Sequence, residues 1–276
     1  MYPAIFTRTY PVTNAEDVLS TVAQDGYAGV QFNLLSAGLA SLPENLPVGL
    51  TEEVGRSARS NGLLIAALSG TYNMAHPDRT VRLASRVGFA NVMKAAHRMG
   101  ASVVTLCTGS RNVSNMWKHH PDNESPAAWH DLRTELDYAL QLAHATGVKL
   151  AVEPEPGNII RDAATARRLL DEVASPHLGI VLDAANLLSP ENLTHQRAVI
   201  SRAVELLGDS ILLAHAKDIN ASGQVVGAGD GVIDLPAFVE TLRVANYDGA
   251  LIGHGFAAEK ARDVAKFLSH LVETTS

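Results

Sequence analysis

The stretch Lys149-Leu-Ala-Val-Glu-Pro-Glu-Pro-Gly-Asn158 begins as a short apolar strand and ends abruptly in acid. Side chains alternate along a strand, so Glu153 and Glu155 point to the same side if the extended geometry continues. Pro154 and Pro156 cannot donate to a sheet ladder, so the ladder is expected to stop here. Carboxylates at the end of a buried strand need a positive partner, which can be a metal, a basic side chain or a proton. The alternative is a solvated turn at a strand end.

Short apolar runs like this one recur along the whole chain, and each is followed by a helical pattern. The candidate strands cover residues 4–7, 29–34, 63–68, 102–107, 149–153, 179–183, 211–215 and 250–254. The candidate helices cover residues 14–24, 51–61, 81–99, 129–143, 163–173, 199–207, 236–245 and 257–272. Asn14 or Thr13 is expected to cap the first helix. The apolar face of the third helix is predicted at Val81, Ala84, Val87, Val92, Ala95 and Met99.

Eight strand–helix units in 276 residues indicate an α/β fold with a parallel sheet covered by helices. This length and number of units favour a single (β/α)8 TIM barrel. An open doubly wound sheet is the second choice, but the first strand is not followed by a glycine-rich dinucleotide fingerprint or a phosphate-loop lysine motif. The composition shows no break, so residues 1–276 are predicted to form one domain.

Composition and charge narrow the class of protein. The net charge is −7 with a pI of about 5.9, which argues against a nucleic-acid groove or an anionic membrane surface. The single cysteine, Cys107, excludes an internal disulfide, fits a reducing compartment, and is expected to be a buried core thiol instead of a nucleophile. The N-terminus lacks a signal-peptide pattern, and no apolar run reaches the ~20 residues that a membrane span needs. We therefore expect a soluble cytoplasmic protein without nucleic-acid or membrane partners.

Four consecutive candidate strands end in an acid or a histidine. The residues are Glu153, Asp183, His215 and His254, spaced by 30, 32 and 39 residues. In a barrel, the carboxyl ends of the strands meet at one mouth, so these side chains should lie together. Two carboxylates and two imidazoles are ligand types of a divalent cation. The alternative is an internal salt-bridge cluster that includes Lys217.

The motifs around these strand ends resemble those of the xylose isomerase-like barrels. The resemblance rests on Val-Glu-Pro-Glu-Pro-Gly at 152–157, Leu-Asp-Ala-Ala-Asn at 182–186, His-Ala-Lys-Asp at 215–218, Gly-Ala-Gly-Asp-Gly-Val-Ile-Asp at 227–234 and Tyr-Asp-Gly-Ala-Leu-Ile at 247–252. It runs from about Gly26 to the last helix and is most specific in the second half. The superfamily includes sugar and sugar-phosphate isomerases and epimerases, inosose dehydratases and apurinic-site endonucleases.

The resemblance implies a metal site and its ligands. In the isomerase and epimerase members, a Glu, an Asp, a His and a second Glu hold one divalent metal, often manganese. By position, the first three correspond to Glu153, Asp183 and His215, while the fourth falls on His254, where the family usually has Glu. A histidine there favours Zn²⁺, Co²⁺ or Fe²⁺ over Mg²⁺, so the expected cofactor is manganese, zinc or cobalt. The family also often has His at the position of Asn186.

The reaction implied is proton abstraction next to a carbonyl of a small sugar, keto-sugar or sugar phosphate, through a metal-stabilised ene-diolate. Glu153, or its neighbour Glu155, would act as base and His254 as partner acid. The missing second glutamate departs from the two-base epimerases. Members of the family often pair, so a homodimer is also expected.

Further side chains are predicted to bind substrate at the same mouth. Lys217 shares the strand face of His215 and suits a substrate oxygen or phosphate, or else pairs with Asp218 or Glu155. The long polar loop 109–123 resembles a lid or substrate loop, the alternative being an exposed variable loop. Substrate contacts are expected from Glu155, Asn186, Lys217, Arg111, His119 and Asn73, with Trp117 and His76 as further candidates.

Three other functions remain open. An inosose-type dehydratase uses the same kind of site. A non-catalytic barrel that binds sugar or metal is kept open by the replaced glutamate. An apurinic-site endonuclease would need several metals and a basic rim, but the early strands offer Gln31, Asn33 and Thr105, and the net charge is negative.

Overall fold

A closed barrel of parallel strands forms the centre of the molecule. The computed structural model describes residues 1–11 and 14–274. Within these residues the strands are β1 (Tyr2–Phe6), β2 (Gly29–Phe32), β3 (Leu64–Ser69), β4 (Val103–Cys107), β5 (Lys149–Glu153), β6 (Leu178–Asp183), β7 (Ile211–His215), β8 (Asp218–Ile219), β9 (Val225–Val226) and β10 (Ala250–Gly253). The barrel closes in the order β1-β10-β7-β6-β5-β4-β3-β2, while β8 and β9 form a separate antiparallel hairpin. The prediction of a single (β/α)8 TIM barrel is confirmed.

Helices surround the barrel and alternate with its strands. In the described part of the chain they are α1 (Ala15–Asp25), α2 (Leu50–Ser60), α3 (Arg79–Met99), α4 (Pro126–Thr146), α5 (Ala163–Val173), α6 (Ala184–Leu187), α7 (Gln196–Leu207), α8 (Leu235–Val244) and α9 (Ala261–Thr274). Among these residues no helix combines the length and the apolarity needed to cross a membrane. Asn14 caps α1 by accepting from the Asp17 amide, whereas the alternative cap, Thr13, lies outside the described residues.

The buried face of α3 differs from the prediction in its first half. Three of the six predicted core positions are exposed, namely Val81, Ala84 and Val87. The buried residue there is Arg82, which pairs with Asp131 at 2.8 Å and Glu135 at 3.4 Å, both on α4. A charged side chain is tolerated inside because Glu135 is buried with it and the partly buried Asp131 supplies a second negative charge. The predicted core positions before Phe89 therefore face the solvent, and those after Phe89 are buried as predicted.

Small apolar side chains fill the barrel interior. They form a cluster separate from the helix-facing core: Ala4, Ala66, Ala67, Val103, Ala151, Val181, Leu213, Ala250 and Ile252. Because strand side chains alternate between two faces, a residue two positions further along points the same way. Glu153, Asp183, His215 and His254 each stand two positions after a member of this cluster. The alternation of the strands thus places all four side chains above the interior layer, at the carboxyl end of the barrel.

Candidate metal centre

Four potential ligands converge at the carboxyl ends of the strands. Glu153, Asp183, His215 and His254 each offer one ligand atom, and these atoms all lie within 4.8 Å of one another. The pairing of β6 with β7 sets Asp183 directly beside His215. The same strand ends also lie beside Cys107, which pairs in register with Glu153 and is buried, as predicted. Proteins use this mixture of carboxylate and imidazole donors to hold divalent cations.

Both ring nitrogens of His215 are engaged. Nδ1 lies 3.2 Å from Oε1 of Glu153, and Nε2 lies 2.8 Å from Oε1 of Gln31 on β2. Burial alone would lower the pKa of His215, but the neighbouring Glu153 carboxylate outweighs it and raises that pKa. Burial would likewise raise the pKa of Glu153, and the positive charges of His215 and Lys217 lower it instead. The pair therefore favours an ionised carboxylate beside a protonated imidazole.

Lys217 and Asn186 connect the acidic groups. The Lys217 ammonium lies 3.0 Å from Oδ2 of Asp183 and donates to Oδ1 of Asn186 at 2.7 Å. The Asn186 amide in turn donates to Oε1 of Glu153 at 3.0 Å and to the carbonyl of Pro154 at 3.1 Å. The ion-pair partner of Lys217 is therefore Asp183, not Asp218 or Glu155, which were named in the alternative to substrate binding. The structure thus contains ion pairs of the kind considered as the alternative to a metal.

One buried atom of the cluster, Nε2 of His254, has no hydrogen bond among the described residues. It lies 3.6 Å from Oδ2 of Asp183, too far for a hydrogen bond, and that oxygen already lies 3.0 Å from the Lys217 ammonium. Burial and the neighbouring His215 lower the pKa of His254, which favours a neutral ring with a free lone pair. A buried polar atom without a partner carries a free-energy penalty that a coordinated cation would remove. The donor set therefore fits a divalent metal ion.

Glu155 stands at the edge of the cluster. One of its oxygens lies within 4.8 Å of donor atoms of Glu153 and Cys107, so Glu153 and Glu155 do converge. Burial, followed by the charge of Glu153, raises the pKa of Glu155 to about 7. Burial also raises the pKa of Cys107 well above that of a free thiol, which keeps the sulfur protonated and a weak nucleophile.

Arg111 and Asn73 have protein partners, and a substrate contact by either stays a prediction. Arg111 is buried, and its guanidinium donates to Asp131 at 2.8 Å and to the carbonyl of Ala75. Asn73 bonds to backbone: its nitrogen donates one hydrogen to the Ser110 carbonyl, and its oxygen accepts from the amides of Ser110 and Ala75. Both side chains fasten the loops that follow β3 and β4.

The loop after β4 is folded over the loop after β5. A Cβ at Gly157 would lie 2.0 Å from the Trp117 carbonyl oxygen and 3.2 Å from the His119 amide nitrogen, so only glycine allows this approach. Asn158 holds the two loops together by accepting from the Gly109 amide and donating to the Met116 carbonyl. The side chains of Trp117 and His119 are exposed on this loop. A substrate contact by His119 stays a prediction.

A family model described as xylose isomerase-like TIM barrel matches residues 19–271. The chain belongs to that family. No curated protein matches the sequence significantly.

Solved structures of similar shape cover nearly the whole xylose isomerase-like barrel. A 3-keto-D-glucoside 4-epimerase from E. coli superposes with a TM-score of 0.77 at 20% identity, over 97% of this chain and 98% of that one. The IOLI protein, solved with a zinc atom, gives a TM-score of 0.74 at 18% identity, over 100% and 99% of the two chains. A mannonate dehydratase from Streptococcus suis gives 0.73 at 18%, over 100% and 95%. At these identities the likeness shows the shared fold.

The structural roles of two residues, Gln31 and Asp218, were not predicted from the sequence. Gln31 is a lone polar side chain in an otherwise apolar strand, which is a usable signal, but its contact with His215 follows only from barrel closure. Asp218 is buried and accepts hydrogen bonds from the backbone amides of Ile219, Gly229, Gly231 and Ile233. It therefore organises the glycine-rich loop that follows β9, and it is the sequence neighbour of Lys217.

Proposed function

We propose that this chain is a divalent-metal-dependent isomerase or epimerase of a small sugar, keto-sugar or sugar phosphate. The observation that carries the proposal is the convergence of Glu153, Asp183, His215 and His254, in which buried Nε2 of His254 has no hydrogen-bond partner among the described residues. The similar folds of solved sugar epimerases, among them a D-tagatose 3-epimerase-like protein and an L-ribulose 3-epimerase, support the substrate class. The reaction is the removal of a proton from the carbon next to a carbonyl.

The four converging side chains would hold the metal. A divalent cation supplies Lewis acidity, which stabilises negative charge on the oxygens of a carbonyl substrate. Two imidazoles among the four donors favour zinc or cobalt, with manganese as the third candidate. Lys217 contributes a fixed positive charge at the same height, since its ammonium already lies against Asp183 and Asn186.

The base is one of two neighbouring glutamates. Glu153 has its Oε1 in contact with His215 and Asn186, and its Oε2 beside the Cys107 sulfur at 3.8 Å. Glu155 is only partly buried and lies nearer the solvent side of the mouth. A carboxylate at either position can accept the substrate proton, and His254 would be the partner acid only in a state where its Nε2 does not bind the cation. Asn186 and Lys217 are placed to orient substrate oxygens.

The test is solvent-deuterium incorporation into a panel of ketoses, inososes and sugar phosphates, followed by mass spectrometry. We expect one class of compound to exchange a single hydrogen with the wild type. The glutamate that acts as base should lose that exchange by about 100-fold or more when changed to glutamine, in Glu153→Gln or Glu155→Gln. The exposed Glu205→Gln serves as the matched control and should exchange normally.

Other outcomes separate the remaining functions. A loss of water from an inosose, detected as a new carbonyl product, would favour the dehydratase. An absence of exchange with every compound, in protein loaded with zinc, cobalt or manganese, would favour a barrel that binds without turnover. The homodimer, the cytoplasmic location and the lack of nucleic-acid and membrane partners stay predictions.

A further inference from the structure

Gln31 is a buried amide whose two polar atoms both have partners inside the barrel. It lies on β2, is 4% exposed, and reaches His215 across the barrel mouth. Its Oε1 lies 2.8 Å from Nε2 of His215, and its Nε2 donates to Oγ1 of Thr105 at 3.2 Å. Thr105 is itself 2% exposed, on β4. The three side chains therefore form a short chain of hydrogen bonds that ends at a candidate metal ligand.

The direction of these hydrogen bonds follows from the chemistry of the Gln31 amide. An amide nitrogen only donates and an amide oxygen only accepts. Because the nitrogen of Gln31 donates to Thr105, its oxygen faces His215, and Nε2 of His215 must carry the proton between them. The nitrogen left for coordination is Nδ1, which faces Oε1 of Glu153 at 3.2 Å. When the imidazolium gives up one proton, as it must to bind a cation, Gln31 thus selects Nδ1 as the nitrogen that loses it and points a lone pair at the cluster.

We infer that Gln31, oriented by Thr105, is a positioning residue that keeps Nε2 of His215 protonated and presents Nδ1 to the cation. The inference rests on the metal centre of the proposed function. Histidine ligands commonly donate their second ring N–H to an oxygen acceptor, which fixes the tautomer and the ring orientation. Here the acceptor is a neutral amide, so it directs the ring without adding a third negative charge beside Glu153 and Asp183.

The inference is tested with Gln31→Leu, Gln31→Glu and the exposed control Gln141→Leu. Leucine removes the acceptor, and we expect the dissociation constant for Zn²⁺, measured by competition with a chromophoric chelator, to rise about 10–100-fold. Glutamate can accept the same N–H, so Gln31→Glu should recover most of the affinity. Gln141→Leu should bind Zn²⁺ as the wild type does.

A second measurement reads the tautomer directly. In metal-free protein, ¹⁵N chemical shifts of the His215 ring at a pH where it is neutral should show protonation at Nε2 in the wild type and a mixture in Gln31→Leu. Thr105→Val removes the partner that orients the amide and should also give a mixture. Circular dichroism and thermal unfolding show whether each variant is folded.

The outcomes separate this inference from the proposed function. Unchanged Zn²⁺ affinity in a folded Gln31→Leu, or protonation at Nδ1 in the neutral wild-type ring, overturns the role of Gln31. If the wild type binds none of Zn²⁺, Co²⁺ and Mn²⁺, the proposed function fails. The ¹⁵N shifts of the metal-free protein then still show whether Gln31 selects the tautomer.

Discussion

Replacing Lys217 with methionine distinguishes a metal centre from a purely internal ion-pair cluster. The substitution keeps most of the apolar stem and removes an ammonium that lies 3.0 Å from Oδ2 of Asp183. At that separation, 3.0 Å, the attraction between unit charges is about 5.5 kcal/mol for an effective dielectric constant of about 20. Breaking a buried ion pair by removing one partner typically destabilises a protein by about 3–5 kcal/mol. For a chain of this size that loss lowers the melting temperature by roughly 6–20 °C.

A bound divalent cation changes this expectation. The ion places positive charge beside the same carboxylates, so it compensates for the missing ammonium in the folded protein. If half of a loss of about 4 kcal/mol is recovered, linkage requires Zn²⁺ to bind the variant roughly 30-fold more tightly than the wild type. The matched control is Lys149→Met, which removes the same charge from the exposed start of β5 and should change stability by about 0.5 kcal/mol or less.

The assay is differential scanning fluorimetry of both variants with and without Zn²⁺, together with isothermal titration calorimetry. We expect Lys217→Met to be strongly destabilised in the metal-free state and much less so with Zn²⁺. An equal loss in the two states, or weaker Zn²⁺ binding by the variant than by the wild type, would refute the reasoning. The strand ends would then be held together by Lys217 alone.

Two further predictions concern the buried Asp218 and the candidate metal ligand His254. Asp218→Ala leaves four backbone amides without their buried acceptor, so we expect the free energy of unfolding, measured in urea, to fall by about 3 kcal/mol or more. The control Asp230→Ala removes an exposed carboxylate and should be nearly neutral. Similar urea midpoints for the two variants would contradict the role of Asp218. His254→Glu replaces an imidazole donor with a hard oxygen donor, so the ratio of Mn²⁺ affinity to Zn²⁺ affinity should rise about tenfold or more. Competition titrations measure this ratio. An unchanged ratio would show that His254 does not coordinate the metal.

The sequence predicted the barrel well because its signals are local. Short apolar runs that end at polar strand ends, followed by amphipathic helices, specify each unit without knowledge of its neighbours. The exception is the first half of α3. Arg82 is buried there because Asp131 and Glu135, about fifty positions later, provide its partners, and no periodicity count on α3 alone contains that information.

The site was only partly predictable for the same reason. Strand ends at equal height bring Glu153, Asp183, His215 and His254 together, and this follows from the topology. The hydrogen-bond and ion-pair partners of other side chains near the site come from neighbouring loops and helices. Asp131 pairs with Arg111, and backbone groups of neighbouring loops bond to the amide of Asn73, so both side chains already have protein partners. Such contacts depend on loop conformations that the residue types do not reveal.

The alanine-rich layer inside the barrel has a consequence for how this protein can evolve. Ala4, Ala67 and Ala151 pack into a compact floor that makes no use of the polar side chains above it. Exchanging a donor atom at the mouth therefore leaves the packing beneath intact. New metal preferences and new substrates can then be sampled by single substitutions of the donor residues without repacking that layer.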